Sequence, residues 1–345
     1  MSRPRAMTRL EDLAAASLIA PGDIATLAPV TAHYAVAITP GMVARITAPD
    51  DAIARQFLPS LAELETRPEE RADPIGDHPH SPVKGLVHRY PDRVLVKLTH
   101  TCPVYCRFCF RREMVGPSGD GNLSEAELDA AFAYIAAQPG VFEVIFTGGD
   151  PLMLSARRIA ALGQRLATIP HVRAVRWHSR VPMVSPERIT PELVRALRFP
   201  GKANYVAVHT NHAQEFSPEA VVALARLADH GIALLGQTVL LKGINDSAET
   251  LLALFRKMAS NRITPLYLHH PDLAPGTGHF RLTIAEGQAI YGALRGRLSG
   301  HAIPAYVLDL PGGFGKVEIG PSSIRQGVGG LEIRAPNGQW HTYAG

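Results

Sequence analysis

From residue 93 onward, short β-rich runs alternate with longer stretches that have the spacing of amphipathic helices. The predicted strands cover residues 93–99, 143–147, 172–178, 205–209, 234–240, 265–269 and 305–309. The predicted helices cover residues 124–137, 156–167, 191–198, 218–230, 248–259 and 284–298. Alternating units of this length predict parallel strands joined by right-handed crossovers. Two α/β architectures remain open, a barrel and a doubly wound sheet.

Polar residues cluster where several of the predicted strands end. The clusters are Thr99-His100-Thr101-Cys102, Thr147-Gly148-Gly149-Asp150, His178-Ser179-Arg180, His209-Thr210-Asn211-His212 and His269-His270. In parallel barrels the active site lies at the carboxyl ends of the strands. We therefore expect these clusters to converge on one mouth.

The regions on either side of the alternating segment differ from it in character. Residues 1–85 indicate a helical N-terminal appendage followed by a linker, because residues 72–84 are rich in proline, histidine and aspartate. Residues 301–345 include a glycine-rich stretch. We therefore predict three segments, 1–85, 86–300 and 301–345, with the barrel in the middle one.

Composition and charge exclude several classes of function. The 35 basic and 31 acidic residues are dispersed, with no basic run to follow a phosphate backbone, so nucleic-acid binding is not expected. No apolar stretch approaches the roughly 20 residues that a membrane span requires. The basic N-terminus leads into Leu10-Glu11-Asp12 without an apolar segment, unlike a signal peptide, so we expect the protein in the cytoplasm.

The three cysteines of the chain, Cys102, Cys106 and Cys109, lie on one short stretch with CxxxCxxC spacing. An odd number packed this tightly is a poor disulfide framework and favours metal ligation in a reducing compartment. Three thiolates can hold three irons of a [4Fe–4S] cluster and leave the fourth iron open. The alternative is a zinc site with His100 as fourth ligand in a non-catalytic interaction module, although zinc ligands usually come as two separated pairs.

The cysteine loop resembles that of the radical S-adenosylmethionine (SAM) superfamily. Thr147-Gly148-Gly149-Asp150-Pro151, one predicted strand later, resembles the superfamily's Gly-Gly-Glu-Pro motif, with aspartate in place of glutamate. The resemblance implies a partial (β/α)6 barrel whose three cysteines bind a [4Fe–4S] cluster. It also implies that SAM binds at the open iron and that residues 147–150 contact its amino end.

A second motif, Gly312-Gly313-Phe314-Gly315-Lys316, follows the last predicted strand. Glycines let the backbone approach a planar ligand, and a lysine at the end of such a loop can form a Schiff base with pyridoxal phosphate (PLP). Together with the cysteine loop, this motif resembles the lysine 2,3-aminomutase family, whose Pro-Gly-Gly-Gly-Gly-Lys segment carries the cofactor lysine. Phe314 departs from the all-glycine version, whereas Lys316 matches. A radical enzyme without PLP, in which Lys316 is incidental, is the alternative.

The same resemblance implies further cofactor ligands, in order along the chain. Arg89 and Arg93 match the family's arginines that bind the PLP phosphate, and charge-assisted pairing gives arginine a physical reason to be there. His209 and Gln237 lie in segments similar to those that line the SAM pocket.

Three residues match the family's substrate ligands. Arg111 corresponds to the arginine that grips the substrate carboxylate, and Asp272 and Asp309 to the aspartates that recognise the distal ammonium of lysine. Paired carboxylates in a partly dry pocket favour a cation and repel an acidic substrate. A turn-forming role for Asp272 and a strand-end cap for Asp309 are the alternatives.

The resemblance therefore implies an L-lysine 2,3-aminomutase that interconverts L-lysine and β-lysine. An electron from the reduced cluster cleaves SAM, and the 5′-deoxyadenosyl radical removes a substrate hydrogen while PLP carries the migrating amino group. The implied partners are an amino acid and an electron donor such as flavodoxin or ferredoxin, and we expect a homo-oligomer. Alternatives are an aminomutase of elongation factor P β-lysylation, or one acting on another amino acid.

Overall fold

The computed structural model describes residues 5–116, 121–328, 330–335 and 338–343. Its N-terminal part contains short helices followed by irregular chain. These helices are α1 Leu10–Ala15, α2 Asp23–His33, α3 Pro40–Val43 and α4 Ala54–Phe57. The predicted boundaries at residues 85 and 300 stay a prediction, and the chain ends, residues 1–4 and 344–345, lie outside the described part.

A nine-stranded sheet forms the centre of the fold. Its strands are β1 Leu86–Tyr90, β2 Arg93–Thr99, β3 Glu143–Gly148, β4 Ala174–Ser179, β5 Ala203–His209, β6 Ala233–Val239, β7 Ile263–His269, β8 Ala305–Leu310 and β9 Gly315–Glu318. They lie side by side in chain order. The strands from β2 to β8 are parallel, whereas β1 and β9 pair antiparallel with their neighbours.

The crossover helices turn the parallel strands into six strand–helix units. They are α5 Glu125–Ala136, α6 Ala156–Ala167, α7 Val181–Val184, α8 Pro191–Leu197, α9 Pro218–Asp229, α10 Ala248–Ser260 and α11 Ile284–Gly292. A doubly wound sheet would reverse its strand order at a switch point, and this sheet does not. The predicted partial (β/α)6 barrel is therefore confirmed. The two edges approach each other, since the Lys316 backbone N–H on β9 donates to the Tyr90 hydroxyl on β1 at 2.7 Å.

Local sequence explains where the helices begin and end. A serine or threonine side chain accepts a backbone N–H at the start of each of the longer crossover helices, as at Ser124, Ser217 and Thr283. Helix α11 ends at Gly292, earlier than predicted, and Ala293 is its C-cap residue. Within the described residues, no helix is both long and apolar enough to cross a membrane.

One hydrophobic core joins the barrel to the N-terminal helices. Val144 of β3 and Trp177 of β4 belong to the same cluster of buried side chains as Leu13 of α1 and Phe57 of α4. Strands β2 and β3 are buried along most of their length, so they contain nearly continuous apolar runs that can be recognised in the sequence.

Several short strands were absent from the sequence prediction. They are β1, β9 and a separate three-stranded antiparallel sheet of β10 Ile324–Gly327, β11 Gly330–Arg334 and β12 Trp340–Tyr343. Each has only four or five residues. Strands this short give too weak an apolar periodicity to be distinguished from loops.

Candidate active site

A cavity of about 430 Å³ lies at the carboxyl ends of the parallel strands. Its volume is in the usual range for small-molecule and cofactor sites. It is lined by the residues that the family resemblance assigned to cofactors and substrate: Arg89, Arg93, Cys102, Cys106, Cys109, Arg111, Thr147, Gly148, Gly149, Asp150, His209, Gln237, Asp272, Asp309 and Lys316. At least one residue of each strand-end cluster therefore faces this cavity, whereas His100 is not among its lining residues.

The three cysteines follow β2 and face the cavity together. Burial raises the pKa of the Cys109 thiol to about 11, so the thiolates need a positive partner. Among the described residues, no three His, Cys, Asp or Glu side chains are grouped closely enough to hold one metal ion. Three thiols on one loop that face the cavity can each bind a different iron of a [4Fe–4S] cluster, so the donor set fits that group.

A network of buried ion pairs anchors the cysteine loop to the N-terminal segment. The Arg107 Nε donates to both carboxylate oxygens of Glu63 at 3.0 Å, and Arg112 donates to the same carboxylate. Arg112 also donates to the Arg107 carbonyl at 3.0 Å. Glu63 comes from the N-terminal segment and is fully buried. This segment therefore fixes the loop that carries the thiols.

The glycine motif after β3 lies directly against the backbone that leads into the cysteine loop. Gly148 adopts φ +118°, and a Cβ atom there would lie 2.3 Å from the Thr99 carbonyl oxygen. The Gly149 N–H donates to the same carbonyl at 2.5 Å. Only glycine allows this approach, which places the backbone of residues 147–149 on the cavity wall.

The Asp150 side chain has a different environment. Its carboxylate accepts hydrogen bonds from the Ser179 hydroxyl at 2.8 Å and from the backbone N–H groups of Leu152, Arg180 and Val181 at 2.7–3.1 Å. The side chain therefore ties the end of β3 to the end of β4, and the neighbouring backbone is left to face a ligand.

Lys316 also lines the cavity, at the end of the glycine loop. Its Nζ contacts the Asp309 carboxylate and lies 3.4 Å from His269 Nδ1. Burial alone would raise the pKa of Asp309, but the hydrogen bond from His269 and the charge of Lys316 hold that pKa well below its usual range. Asp309 is therefore ionised and already pairs with a primary ammonium group.

Asp272 reaches the same region from the loop after β7. Burial, reinforced by the negative charge of Asp309, raises the pKa of Asp272 to about 7. Asp272 and Asp309 thus lie close to Lys316, and the positive charges of Lys316 and Arg111 both act to lower the pKa of Asp272. The arrangement can accept a further cation.

The arginines lie around a carboxylate that the sequence analysis missed. Asp77 Oδ1 is 3.1 Å from Arg89 Nη2, and Asp77 Oδ2 is 3.2 Å from Arg111 Nη2 and 3.7 Å from Lys97 Nζ. Three buried cations surround one anion. The Nε atoms of Arg89 and Arg111 are buried without a hydrogen-bond partner. Unpaired donors and excess positive charge fit anionic ligands such as a phosphate and a carboxylate.

Arg93 is less available than Arg89 to bind a ligand. Its Nη1 is 2.7 Å from Asp92 Oδ1, and its guanidinium lies 3.8 Å from the centre of the Tyr90 ring. It lines the cavity but is more exposed than Arg89.

His209 and Gln237 are direct neighbours at the ends of β5 and β6. Burial lowers the pKa of His209 to about 3, so its ring is neutral, and its Nε2 is buried without a partner. A neutral histidine with an unused ring nitrogen can donate to or accept from a polar ligand.

The structure adds residues that sequence reasoning did not identify. Asp77 and Lys97 adjoin the arginines, Glu63 anchors the cysteine loop, and Arg180 contacts Cys106. Arg180 stood in a polar cluster at a strand end, which could have drawn attention to it. Asp77 and Glu63 lie in segments that the sequence indicates as linker and appendage, and no local pattern distinguishes them.

This chain is similar to a known superfamily and to several known enzymes. The profile described as the Radical SAM superfamily matches residues 96–255. The L-lysine 2,3-aminomutase of Fusobacterium nucleatum is 41% identical over 291 residues, which cover 84% of this chain and 68% of that protein.

Two other relatives give similar values. The L-lysine 2,3-aminomutase of Clostridium subterminale is 40% identical over 291 residues, covering 84% of this chain and 70% of that protein. The L-lysine 2,3-aminomutase of Escherichia coli is 37% identical over 264 residues, covering 76% of each chain.

Proposed function

Since the chain belongs to the L-lysine 2,3-aminomutase family of radical SAM enzymes, we propose that it interconverts L-lysine and β-lysine in the cavity described above. The observation that carries the proposal is the distribution of charge in that cavity. Arg111 supplies a cationic group whose Nε is buried without a partner, and Asp272 and Asp309 supply two carboxylates beside Lys316. A substrate with a carboxylate at one end and an ammonium at the other matches this arrangement.

Membership of the family implies three cofactors, a [4Fe–4S] cluster, SAM and PLP. When bound, they supply a hydrogen-abstracting radical and a conjugated carrier for the migrating amino group. The cysteines would hold the cluster, and residues 147–149, His209 and Gln237 would hold SAM. Lys316 would hold PLP covalently, with Arg89 and Arg93 on its phosphate. The unpartnered Arg89 Nε supports the phosphate site.

The chain's own residues bind and orient the substrate. Arg111 pairs with the α-carboxylate, and its unpartnered Nε provides a donor for this bond. Asp272 and Asp309 bind the distal ammonium. Asp309 pairs with the Lys316 ammonium, which shows that this carboxylate accepts a primary ammonium group. With Lys316 committed to PLP, the side-chain ammonium of the substrate would be the cation that the two carboxylates bind.

The walls of the cavity position the reacting groups and exclude water. Phe108 and Phe280 form a buried edge-to-face pair beside His209, and both line the cavity. A dry, prearranged site of this kind lowers the entropic cost of bringing several reactants together and protects a radical from solvent.

The proposal extends to the setting in which the enzyme works. Three thiols intended for an oxygen-sensitive cluster require a reducing compartment, so we place the protein in the cytoplasm. Reduction of the cluster requires a low-potential electron donor of the flavodoxin or ferredoxin class. We also propose a homo-oligomer, which size-exclusion chromatography with light scattering tests directly.

The central experiment is anaerobic reconstitution followed by incubation with a panel of amino acids. The panel contains lysine, ornithine, alanine and glutamate, and the products are identified by mass spectrometry after derivatisation. We expect β-lysine from lysine and no product from glutamate, because the paired carboxylates repel a distal anion. Lys316→Ala, reconstituted in parallel, is the inactive control. Preference for an uncharged or acidic substrate would overturn the lysine assignment.

A further inference from the structure

Arg180 follows β4 directly, and its side chain contacts the sulfur of Cys106. Its Nη1 lies 2.7 Å from Cys106 Sγ. Its Nη2 donates to Gln56 Oε1 at 2.5 Å and to Glu215 Oε2 at 3.0 Å. The Arg180 side chain is only 6% exposed, and Glu215 is fully buried. A buried cation thus donates a hydrogen bond to a sulfur that faces the cavity.

The protein fixes this arrangement from several directions. The Arg180 backbone N–H donates to Asp150 at 2.7 Å, and its guanidinium lies 4.9 Å from the centre of the Phe57 ring. Glu215, in turn, accepts the backbone N–H groups of Asn211 and His212 at 2.8 and 3.0 Å. Because these contacts involve protein groups alone, the guanidinium is held in place independently of any bound cofactor.

We propose that Arg180 is a positioning residue that raises the reduction potential of the iron–sulfur cluster through Cys106. One-electron reduction makes the cluster more negative. A hydrogen bond to a ligating sulfur and a nearby positive charge stabilise the reduced form more than the oxidised form. Glu215 acts in the opposite sense, since its buried negative charge offsets part of the arginine's charge. The inference rests on the proposed function only through the assignment of Cys106 as a cluster ligand.

The test measures the midpoint potential of the reconstituted cluster by electron paramagnetic resonance during titration with titanium(III) citrate, without lysine. Each reduction adds one electron from the titrant to the cluster. Arg180→Gln removes the charge, Arg180→Lys keeps it, and Glu215→Gln removes the opposing charge. Arg188→Gln is the matched control, because Arg188 donates to the Met153 carbonyl at 2.8 Å rather than to a cysteine of the loop.

We expect Arg180→Gln to keep iron and sulfide but to lower the equilibrium constant for reduction at least tenfold, which corresponds to about 59 mV. The midpoint potential should fall less in Arg180→Lys than in Arg180→Gln and should rise in Glu215→Gln. In Arg188→Gln it should equal that of the parent. A lower midpoint potential in Arg180→Gln together with a higher one in Glu215→Gln would not arise from a general loosening of the fold.

Two results would overturn the proposal. The first is an Arg180→Gln variant that holds the full cluster at the parent's potential. The second is loss of the cluster in both Arg180 variants together with no rise of the potential in Glu215→Gln, which would assign Arg180 a purely structural role. Because the potential is read without substrate, a cluster that titrates normally but supports no lysine turnover would contradict the aminomutase proposal and leave this one standing.

Discussion

Asp272 should make lysine turnover depend on pH in a range where ordinary carboxylates do not titrate. Its pKa of about 7 arises because burial and the neighbouring Asp309 disfavour its charged form. The ionised form is the one that binds an ammonium. With this pKa, about a tenth of the free enzyme is ionised at pH 6 and about nine tenths at pH 8. The kcat/KM for lysine should therefore rise roughly tenfold, equivalent to about 1.4 kcal/mol.

The assay measures initial rates of β-lysine formation anaerobically at saturating SAM, and kcat/KM reports the free enzyme. Asp272→Asn should lower kcat/KM and abolish the rise with pH. Asp309→Asn should also lower kcat/KM, but it removes a negative neighbour, so the pKa of Asp272 falls and the rise moves to lower pH. Asp129→Asn changes an exposed acid on α5 and should keep the parent profile.

Two outcomes would refute this reasoning. One is a parent profile that stays flat between about pH 6 and 8, which would mean that Asp272 is already ionised or not needed. The other is an Asp272→Asn variant with the parent's rise, which would assign the titration to another group. An unchanged position of the rise in Asp309→Asn would show that the two carboxylates are not coupled.

Three further predictions concern the cofactors. Replacing any one cysteine of the loop by alanine should abolish reductive cleavage of SAM, measured as 5′-deoxyadenosine; full cleavage would contradict the cluster assignment. Lys316→Ala should lose PLP that borohydride can fix to the chain but keep iron and sulfide, because the two sites lie on separate loops; retained fixation would point to another lysine. Gly76→Ala should weaken PLP retention at least tenfold, since a Cβ there would lie 2.3 Å from the Gly313 nitrogen and push the lysine loop away. Gly201→Ala has a similar φ of +72° and open space around it, so it should destabilise the fold by about 1 kcal/mol in chemical denaturation and leave PLP in place; equal PLP loss in both variants would argue against the clash.

Features that depend on residues close together in the chain could be predicted from the sequence. The cysteine spacing and the glycine loop ending at Lys316 are complete within eight residues each, so their chemistry is visible without the fold. The parallel strands could also be placed, because short β-rich runs alternate with stretches of helical spacing along the chain. The order of these units, combined with the general rule for parallel barrels, was sufficient to predict that the strand-end clusters meet at one mouth.

Tertiary structure alone decided which groups neutralise and support that site. Glu63 meets Arg107, Asp77 meets Arg111, and Glu215 meets Arg180, and each pair is separated by more than 30 residues. The raised pKa of Asp272 likewise depends on how deeply the loop after β7 is buried and on its distance from Asp309. Such pairings follow from the close approach of distant chain segments, which no local pattern encodes. Burial then strengthens the interaction between the paired charges.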